Sequence, residues 1–475
     1  MDEVFTRIKR TMKNGITIGD RHYQFLAFGN SQFREHGAYF FAPLKYLNAN
    51  HIRRWMGEYS HINTVAKYAA RLGQCFSTTR AINCTKVTIV EIEDIERNGY
   101  VFTDGVGKIS PFLAQLATGE LGLTTPEAPS VFQFRLGGCK GVLTVWPDVK
   151  LRQIHIRKSQ YKFPAKHEGL EIIRCSQMAS ANLNRQLISV LSSRGIPDDV
   201  FVRKLKLQLV TLEQAMAEEK PALTLLQKAI DHNQMTMALV GMIMDGFHRT
   251  KEPFLVALLH LWRAWSIKYL KEKARISIGD GAQLLGCIDE TANLKGHYNH
   301  VLINEMGTRQ EKEALLPEVF IQLSKGPDNK PYVVEGPMLL ARNPSLHPGD
   351  IRVVRGVDIP ALRHLKDVVV LPQTGDRDVA GMCSGGDLDG DDFVVMWDQD
   401  LLPPESHWIV DPMDYTAPVP LKAERDVTTD DITSFFVTYI KNDSLRSIAT
   451  AHVAQADFAD DGVKDERCKR LGTCC

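Results

Sequence analysis

The chain has 475 residues and a formal net charge of zero, because 57 lysines and arginines balance 57 aspartates and glutamates. Hydrophobic residues make up 44% of it and charged residues 24%, as in ordinary globular proteins, which excludes a wholly disordered chain. The zero net charge excludes a general basic coat for nucleic acid. The apolar stretches are too short to span a bilayer, so we expect no membrane partner.

Nine cysteines are scattered along the chain and never follow the C-x-x-C spacing. This pattern is typical of reduced thiols and argues against disulfides or a structural zinc site. We therefore expect an intracellular protein, in the cytoplasm, the nucleus or both.

In chain order, the first part of the sequence, 1–99, mixes helical patterns such as the one over 52–72 with short strand patterns. Residues 100–170 are rich in strand and turn signals, and they form the first predicted β module. The apolar period then becomes that of a helix, which predicts a helical connector over 171–275.

Strand patterns return in residues 276–400, the second predicted β module, and residues 401–475 again look mainly helical. The predicted strands of the second module cover 319–323, 332–334, 338–341, 368–371 and 393–397. Two β modules that are separated and flanked by helical segments predict an α+β protein.

The strongest chemical signal is the segment Gly386-Asp-Leu-Asp-Gly-Asp-Asp392, which an apolar run follows at once. Alternation along an extended segment would place Asp387, Asp389 and Asp391 on one side, and Gly390 would allow the backbone to bend. Three carboxylates this close repel one another unless a cation neutralises them. Magnesium takes oxygen ligands in an octahedron, so these three aspartates are the predicted metal ligands.

Three other interpretations fit the segment less well. An EF-hand loop beginning at Asp387 needs glycine at its sixth position, where this chain has Asp392. The Gly-Asp-Asp motif of right-hand viral polymerases would leave Asp387 and Asp389 idle. An acidic turn on a surface hairpin stays open, although solvation alone poorly explains an acidic cluster beside a buried strand.

A basic window complements the acidic one. Residues 139–166 carry seven lysines and arginines against a single acid. Lys140 stands among glycines that let a ligand approach the backbone closely, and Lys162 lies between Tyr161 and Phe163, which can stack a base. The window predicts phosphate binding, with a solvated surface as the alternative.

Together these motifs make the chain similar to the catalytic core of the cellular RNA-dependent RNA polymerases of RNA silencing, in their fungal form. Segments typical of that family follow one another in order along nearly the whole chain. They cover residues 23–35, 55–57, 66–77, 103–110, 133–143, 157–163, 341–350 and 386–397. The resemblance implies two double-psi β-barrels, like those of multisubunit cellular RNA polymerases, with the aspartates on the second barrel.

The resemblance also implies a chemistry, in which RNA 3′ ends are extended on an RNA template and pyrophosphate is released. The product would be double-stranded RNA for small-RNA gene silencing. Asp387, Asp389 and Asp391 would hold one Mg²⁺ and help to bind a second that arrives with the nucleoside triphosphate. Lys140 and Lys162 would act with them by neutralising the triphosphate charge.

Two arginines are the predicted substrate-binding residues. Arg157 is a further candidate for the triphosphate, and Arg342 would contact the ribose or the template. The alternative for Arg342 is an ion pair with a nearby carboxylate such as Asp350. The expected partners are the RNA template, the nascent RNA, nucleoside triphosphates and proteins of the silencing pathway.

Two other functions stay open. The family pattern includes a long amino-terminal extension and a further helical head, and their absence leaves a catalytically silent RNA-binding fragment as one alternative. A metal-dependent nuclease would use the same carboxylates and cations, but it leaves the two β modules unexplained.

Overall fold

The chain folds into two compact units in a computed structural model that describes residues 2–83, 87–123, 125, 127–167, 169–228, 235–299, 307–324, 330–416 and 419–474. The first unit comprises Met1–Asp94, Thr103–Cys175 and Thr416–Arg446. The second comprises Ile95–Phe102, Ser176–Tyr415 and Ser447–Cys475. Most of the predicted first β module, from residue 103 onward, lies in the first unit, and most of the predicted connector lies in the second unit together with the predicted second β module.

Strands occur in both units. Their bounds are β1 Ile16–Ile18, β2 Arg21–Ala27, β3 Tyr39–Phe41, β4 Arg80–Ala81, β5 Thr88–Ile92, β6 Glu96–Arg97, β7 Tyr100–Val101, β8 Val106–Ile109, β9 Val131–Leu136, β10 Cys139–Val145, β11 Gln153–Arg157, β12 Leu170–Cys175, β13 Ala179–Asn182, β14 Ser277–Ile288, β15 Glu318–Leu323, β16 Tyr332–Val333, β17 Gly336–Ala341, β18 Ile351–Gly356, β19 Val368–Leu371 and β20 Asp392–Met396.

The α-helices are α1 Asp2–Asn14, α2 Asn30–Arg34, α3 Ala49–Met56, α4 Val65–Gly73, α5 Pro111–Glu120, α6 Arg185–Ser193, α7 Asp198–Ala217, α8 Glu219–Lys228, α9 Met235–Met244, α10 Pro253–Lys273, α11 Arg309–Leu315, α12 Val379–Met382, α13 Thr429–Asn442, α14 Leu445–Phe458 and α15 Glu466–Cys474. Short 3₁₀ helices connect several of them, at Gln74–Phe76, Lys158–Gln160, Pro348–Asp350, Pro360–Leu362, Gln399–Leu401, Glu405–His407 and Gly462–Lys464. Of the helices in the described part of the chain, none is long and apolar enough to cross a membrane.

The first unit contains a seven-stranded sheet in the order β4-β12-β9-β10-β8-β11-β5. Strand β10 pairs antiparallel with β9 and parallel with β8, so it lies in the middle of the sheet. Within the described residues, no pairing joins the two edge strands β4 and β5. A smaller sheet in the order β1-β2-β3 completes the β structure of this unit.

The second unit contains a closed barrel of six strands. Around it the order is β14-β19-β15-β18-β17-β20, and β20 closes the ring by pairing with β14. Strand β13 continues the sheet outside the barrel by pairing with β14. Side chains of β17 and β20 such as Leu339, Ala341, Val394 and Met396 are buried in the hydrophobic core.

Local sequence signals explain where several helices begin and end. Helix α5 follows β8 because the Ser110 hydroxyl accepts the Leu113 N–H at 3.2 Å and Pro111 occupies the first turn. Helix α6 ends before Gly195, whose positive φ of 93° is costly for other residues. The single helical stretch predicted over 52–72 is wrong, because the chain leaves the helix between α3 and α4.

Candidate active site

The predicted metal loop lies between α12 and β20 in the second unit. Strand β20 is hydrogen-bonded on both sides, to β14 and to β17, and its residues Phe393–Met396 are buried. The loop therefore leads into a strand that is hydrogen-bonded on both edges and packed into the core. Such a base suits a site whose ligands must keep a defined geometry.

The loop is bent rather than extended, so the extended conformation predicted for this segment is wrong, whereas the predicted bend at Gly390 is present. The Asp387 N–H donates to Asp391 Oδ2 at 3.1 Å, and the Asp389 N–H donates to Asp387 Oδ1 at 3.1 Å. Gly390 has a positive φ of 128°, which lets the chain turn back, and Leu388 is buried at 2% exposure. The loop thus brings Asp387 and Asp391 together by closing on itself.

Arg342 lies directly after β17 and reaches this loop. Its Nε is 2.5 Å from Asp391 Oδ2, its Nη2 donates to Asp391 Oδ1 at 3.2 Å, and its Nη1 donates to Ser384 O at 3.2 Å. A Cβ on Gly386 would lie 2.7 Å from Arg342 Cδ, so glycine is what allows the arginine to pass. The guanidinium therefore forms a two-point ion pair with one of the predicted metal ligands.

Asp350, the carboxylate that we considered as a partner for Arg342, has a different role. It is fully buried and accepts the N–H groups of Leu346 and His347 at 2.8 Å each. The Tyr415 hydroxyl donates to it at 2.7 Å. These bonds hold the turn that follows Arg342, so Asp350 and Tyr415 are positioning residues that the sequence analysis missed.

The described residues hold no group of three or more His, Cys, Asp or Glu side chains arranged to bind a metal ion. In the aspartate loop this absence has a visible cause, because both carboxylate oxygens of Asp391 are bound by Arg342 and one of them also accepts the Asp387 N–H. The donors themselves are hard carboxylate oxygens of the kind that Mg²⁺ takes. The residues fit magnesium in kind, and Asp391 would have to share its oxygens with Arg342.

The two predicted lysines lie close in the fold of the first unit. Lys140 is on β10, and the Lys162 N–H donates to Gly138 O at 3.1 Å. A Cβ on Gly138 would lie 1.5 Å from Phe163 O, so only glycine allows the two segments to approach this closely. The segment carrying Lys162 is thus fixed against the turn that precedes Lys140.

The surroundings of Arg157 argue against the substrate-binding role predicted for it. Its side chain is buried, with 3% of its surface exposed. Its Nη1 donates to Val106 O at 2.9 Å and its Nε donates to Glu93 O at 3.2 Å. The guanidinium ties main-chain segments together, so Arg157 is a structural residue of the first module.

Sequence reasoning also missed two arginines near Lys140. Arg71 and Arg135 line a cavity of about 120 Å³ together with Lys140. The sequence already placed Arg135 in the same motif as Lys140. In the structure the two residues lie directly opposite each other on strands β9 and β10. Arg71, from helix α4, could not be placed there without the tertiary structure.

Two cysteines flank these sites without adding reactivity. Burial raises the pKa of the Cys139 thiol, next to Lys140, to about 11. Burial likewise raises the pKa of the Cys383 thiol, just before the aspartate loop, to about 12. Both thiols stay protonated at neutral pH, and a protonated thiol is a poor nucleophile.

Comparison with known proteins gives the site a family context. The family model described as "RNA dependent RNA polymerase" matches residues 1–475. The chain is 41% identical to RNA-dependent RNA polymerase 1 of Schizosaccharomyces pombe, over 97% of this chain and 38% of that protein. It is 40% identical to RNA-dependent RNA polymerase 1 of Arabidopsis thaliana, over 96% of this chain and 39% of that protein.

The fold also matches a solved structure, that of the RNA-dependent RNA polymerase QDE-1 from Thielavia terrestris. The TM-score is 0.73 at 20% sequence identity, and the match covers 99% of this chain and 56% of that one. At this identity the likeness concerns the fold. The chain spans about two fifths of the length of the two curated relatives.

Proposed function

Because this chain belongs to the family of RNA-dependent RNA polymerases, we propose that it adds nucleotides to an RNA 3′ end on an RNA template and releases pyrophosphate. The observation that carries the proposal is the closed loop of Asp387, Asp389 and Asp391, which begins strand β20 of the six-strand barrel. Both relatives are RNA-dependent RNA polymerases by name, which supports the proposal. The product would be double-stranded RNA that serves small-RNA silencing.

Asp387, Asp389 and Asp391 would hold magnesium, one ion firmly and a second that arrives with the nucleoside triphosphate. Bound there, magnesium would lower the pKa of the attacking 3′-hydroxyl and stabilise the charge on the leaving phosphate. The chain itself limits repulsion among the three carboxylates, because Arg342 neutralises Asp391 and main-chain N–H groups bind Asp387 and Asp391.

Lys140 and Lys162 would bind the triphosphate. Support comes from the fixed hydrogen bond between the Lys162 amide and Gly138 O, which holds both segments in place before the substrate arrives. Fixed cations stabilise phosphate charge without reorganising during the reaction. We leave Arg157 out of this set, because moving it to a phosphate would leave two carbonyls without their donor.

Arg342 would contact the ribose of the incoming nucleotide. A guanidinium has five N–H donors, and three of those of Arg342 meet Asp391 and Ser384. Two donors can therefore reach a sugar hydroxyl while the arginine keeps its ion pair. This arrangement would couple the sugar to the aspartate loop.

Several further properties follow from the same proposal. We propose that the strand crossings of both β modules are those of double-psi β-barrels. The RNA template, the nascent RNA and nucleoside triphosphates would be the partners, with silencing-pathway proteins as further ones. The protein would work inside the cell, in the cytoplasm or the nucleus.

Incorporation of radiolabelled nucleotides on single-stranded RNA tests the proposal. We expect magnesium-dependent incorporation by the wild-type chain and none by the Asp389→Asn variant, which keeps the shape of the side chain and removes its charge. Binding of RNA should change by less than about tenfold, because phosphate contacts elsewhere dominate affinity. Incorporation by Asp389→Asn at the wild-type rate would contradict the assigned metal ligands.

A further inference from the structure

Two cavities of the first unit meet at the side chains of Gln74, Ser77 and Arg135, which line both. Each has a volume of about 120 Å³. Trp55 lines the first cavity, and Arg71 and Lys140 line the second. An aromatic surface therefore lies next to a group of cations. We call the two together the Trp55 groove.

The cationic end of the Trp55 groove suits a phosphate. Arg71, Arg135 and Lys140 line it, and none of its described lining residues is a carboxylate. At the other end the lining carboxylate is Glu171, which lies opposite Arg135 across strands β12 and β9, accepts the Thr79 hydroxyl at 2.7 Å and lies 3.3 Å from the His167 ring. The positive charge is therefore concentrated where the groove reaches Lys140.

The aromatic end presents an exposed stacking surface on a helix that is tied to a strand. Trp55 is 69% exposed, although its neighbour Met56 is buried. Helix α3, which carries it, is held to β2 because Arg53 Nε donates to Leu26 O at 2.9 Å and Arg53 Nη2 donates to Phe25 O at 2.5 Å. The indole is thus exposed on an element that stays in place.

The segment after Trp55 is fixed as well. The Glu58 N–H donates to Pro164 O at 2.9 Å, two residues after Lys162. A Cβ on Gly57 would lie 2.6 Å from Phe163 Cε2, so glycine allows this contact. The aromatic surface and the lysine segment are therefore held by the same packing.

We infer that the Trp55 groove binds a segment of single-stranded RNA, with a base stacked on Trp55 and an adjoining phosphate at Arg71 and Arg135, next to the Lys140 that serves the triphosphate. Proteins that bind single strands combine a positively charged groove with aromatic side chains on which bases stack. A base within a duplex already stacks on its neighbours, so the Trp55 surface favours a single strand. The inference rests on the proposed function, because it names a place for the template strand.

Binding of a fluorescein-labelled oligouridine to the 475-residue chain, followed by fluorescence anisotropy, tests the inference. Stacking on one aromatic side chain predicts that Trp55→Ala raises the Kd by about 5- to 150-fold. Trp55→Phe keeps a ring and should retain most of the affinity. Tyr46→Ala is the matched control, because Tyr46 is 82% exposed in the same unit and lines neither cavity.

The cationic end is tested by salt. Each phosphate contact to a single strand contributes about 0.7 to the slope of log Kd against log salt concentration. Arg71→Gln should lower that slope by about this amount. The phosphate could instead belong to the nucleoside triphosphate, and in that case Trp55→Ala and Arg71→Gln would raise the KM for nucleotide at saturating RNA and leave the oligouridine Kd unchanged.

That last result would overturn the inference, as would equal effects of Trp55→Ala and Tyr46→Ala or a wild-type chain that does not bind oligouridine. Thermal unfolding of each variant checks that the fold is intact, which we expect because Trp55 is exposed. The binding assay needs no catalysis. If Trp55→Ala binds oligouridine more weakly but the wild-type chain incorporates no nucleotide, the groove is supported and the polymerase proposal is refuted. If the wild-type chain incorporates nucleotide but Trp55→Ala binds oligouridine as tightly as the wild type, the groove alone is refuted.

Discussion

Replacing Arg342 by alanine tests whether its guanidinium recognises the ribose. In the folded protein the side chain is 27% exposed and holds Asp391 at two points, while Nη1 donates to Ser384 O. Alanine would remove these contacts together with the two donors that can reach a sugar. The 2′-hydroxyl is the group by which a protein distinguishes RNA from DNA at one site, so the loss should appear as weaker preference for ribonucleotides.

The expected size follows from the hydrogen bonds. One charge-assisted hydrogen bond is worth about 1.5–3 kcal/mol, and about 1.4 kcal/mol corresponds to a factor of ten. Ribonucleotide preference over deoxyribonucleotide should therefore fall by about 10- to 150-fold in kcat/KM. Among the described residues the Asp391 carboxylate would then keep the Asp387 N–H as its one donor, so we expect the free energy of unfolding to fall by about 1–3 kcal/mol.

The assay compares kcat/KM for a ribonucleotide and its deoxy analogue on one RNA template. Arg342→Lys should give an intermediate result, because an ammonium keeps the charge but cannot bind a carboxylate at two points as a guanidinium does. Arg355→Ala is the matched control, since Arg355 lies on the adjacent strand β18 and its Nη1 is 3.8 Å from Glu318. Equal losses for both nucleotides would show that Arg342 serves the aspartate loop alone, and the ribose role would be withdrawn.

Four other variants probe the substrate cations, the packing and the pH response. Lys140→Ala should lower kcat/KM for the nucleotide by about 10²–10³, through a lower kcat or a higher KM. An effect confined to RNA affinity would contradict the role of Lys140 in binding the triphosphate. Gly138→Ala should abolish folding, because its Cβ would lie 1.5 Å from Phe163 O, whereas Gly119→Ala, with open space around its Cβ in helix α5, should stabilise the chain by about 0.5–1 kcal/mol in chemical denaturation. Burial lowers the pKa of His297 to about 4. As the pH falls from about 6.5 to 4, the unfolded chain therefore binds a proton at this histidine before the folded chain does, so the free energy of unfolding should decrease. His297→Gln should make the free energy of unfolding depend less on pH in this range.

Buried apolar strands could be predicted from the sequence. The prediction over 368–371 coincides with β19, and those over 319–323 and 338–341 fall within β15 and β17. These strands are almost completely buried in the barrel. A continuous apolar run is enough to predict such a strand, because a strand that is buried on both faces does not alternate between apolar and polar residues.

Strand β14 was missed, although it is the longest in the structure's described residues. It begins with Ser277, Gly279, Asp280 and Gly281, which are poor strand formers. Its stability comes from pairing with β13, β19 and β20, and these partners lie far away in the sequence. A local pattern cannot contain that information, since the hydrogen bonds that define the strand are tertiary.

The aspartate loop shows how side chains can override a strand pattern. The alternation of Asp387, Asp389 and Asp391 is that of an extended segment, yet the carboxylates of Asp387 and Asp391 accept main-chain N–H groups within the loop. Aspartate competes in this way with regular backbone pairing, and glycine removes the steric cost of the turn. The carboxylate donors of the loop can thus be read from the sequence, whereas the shape of the loop depends on hydrogen bonds that the pattern does not encode.

The same limit applies to Arg157, whose burial could not be predicted from the count of cations in its sequence window. Ile154 and Ile156 are buried on β11, so alternation would turn Arg157 outward into solvent. The strand instead ends there in a 3₁₀ helix, and the carbonyls of Glu93 and Val106 replace water around the guanidinium. A buried arginine whose donors meet carbonyls could bind phosphate only by leaving those carbonyls unpaired. Charge in a sequence window therefore bounds the number of phosphate ligands from above, and hydrogen bonding decides which residues they are.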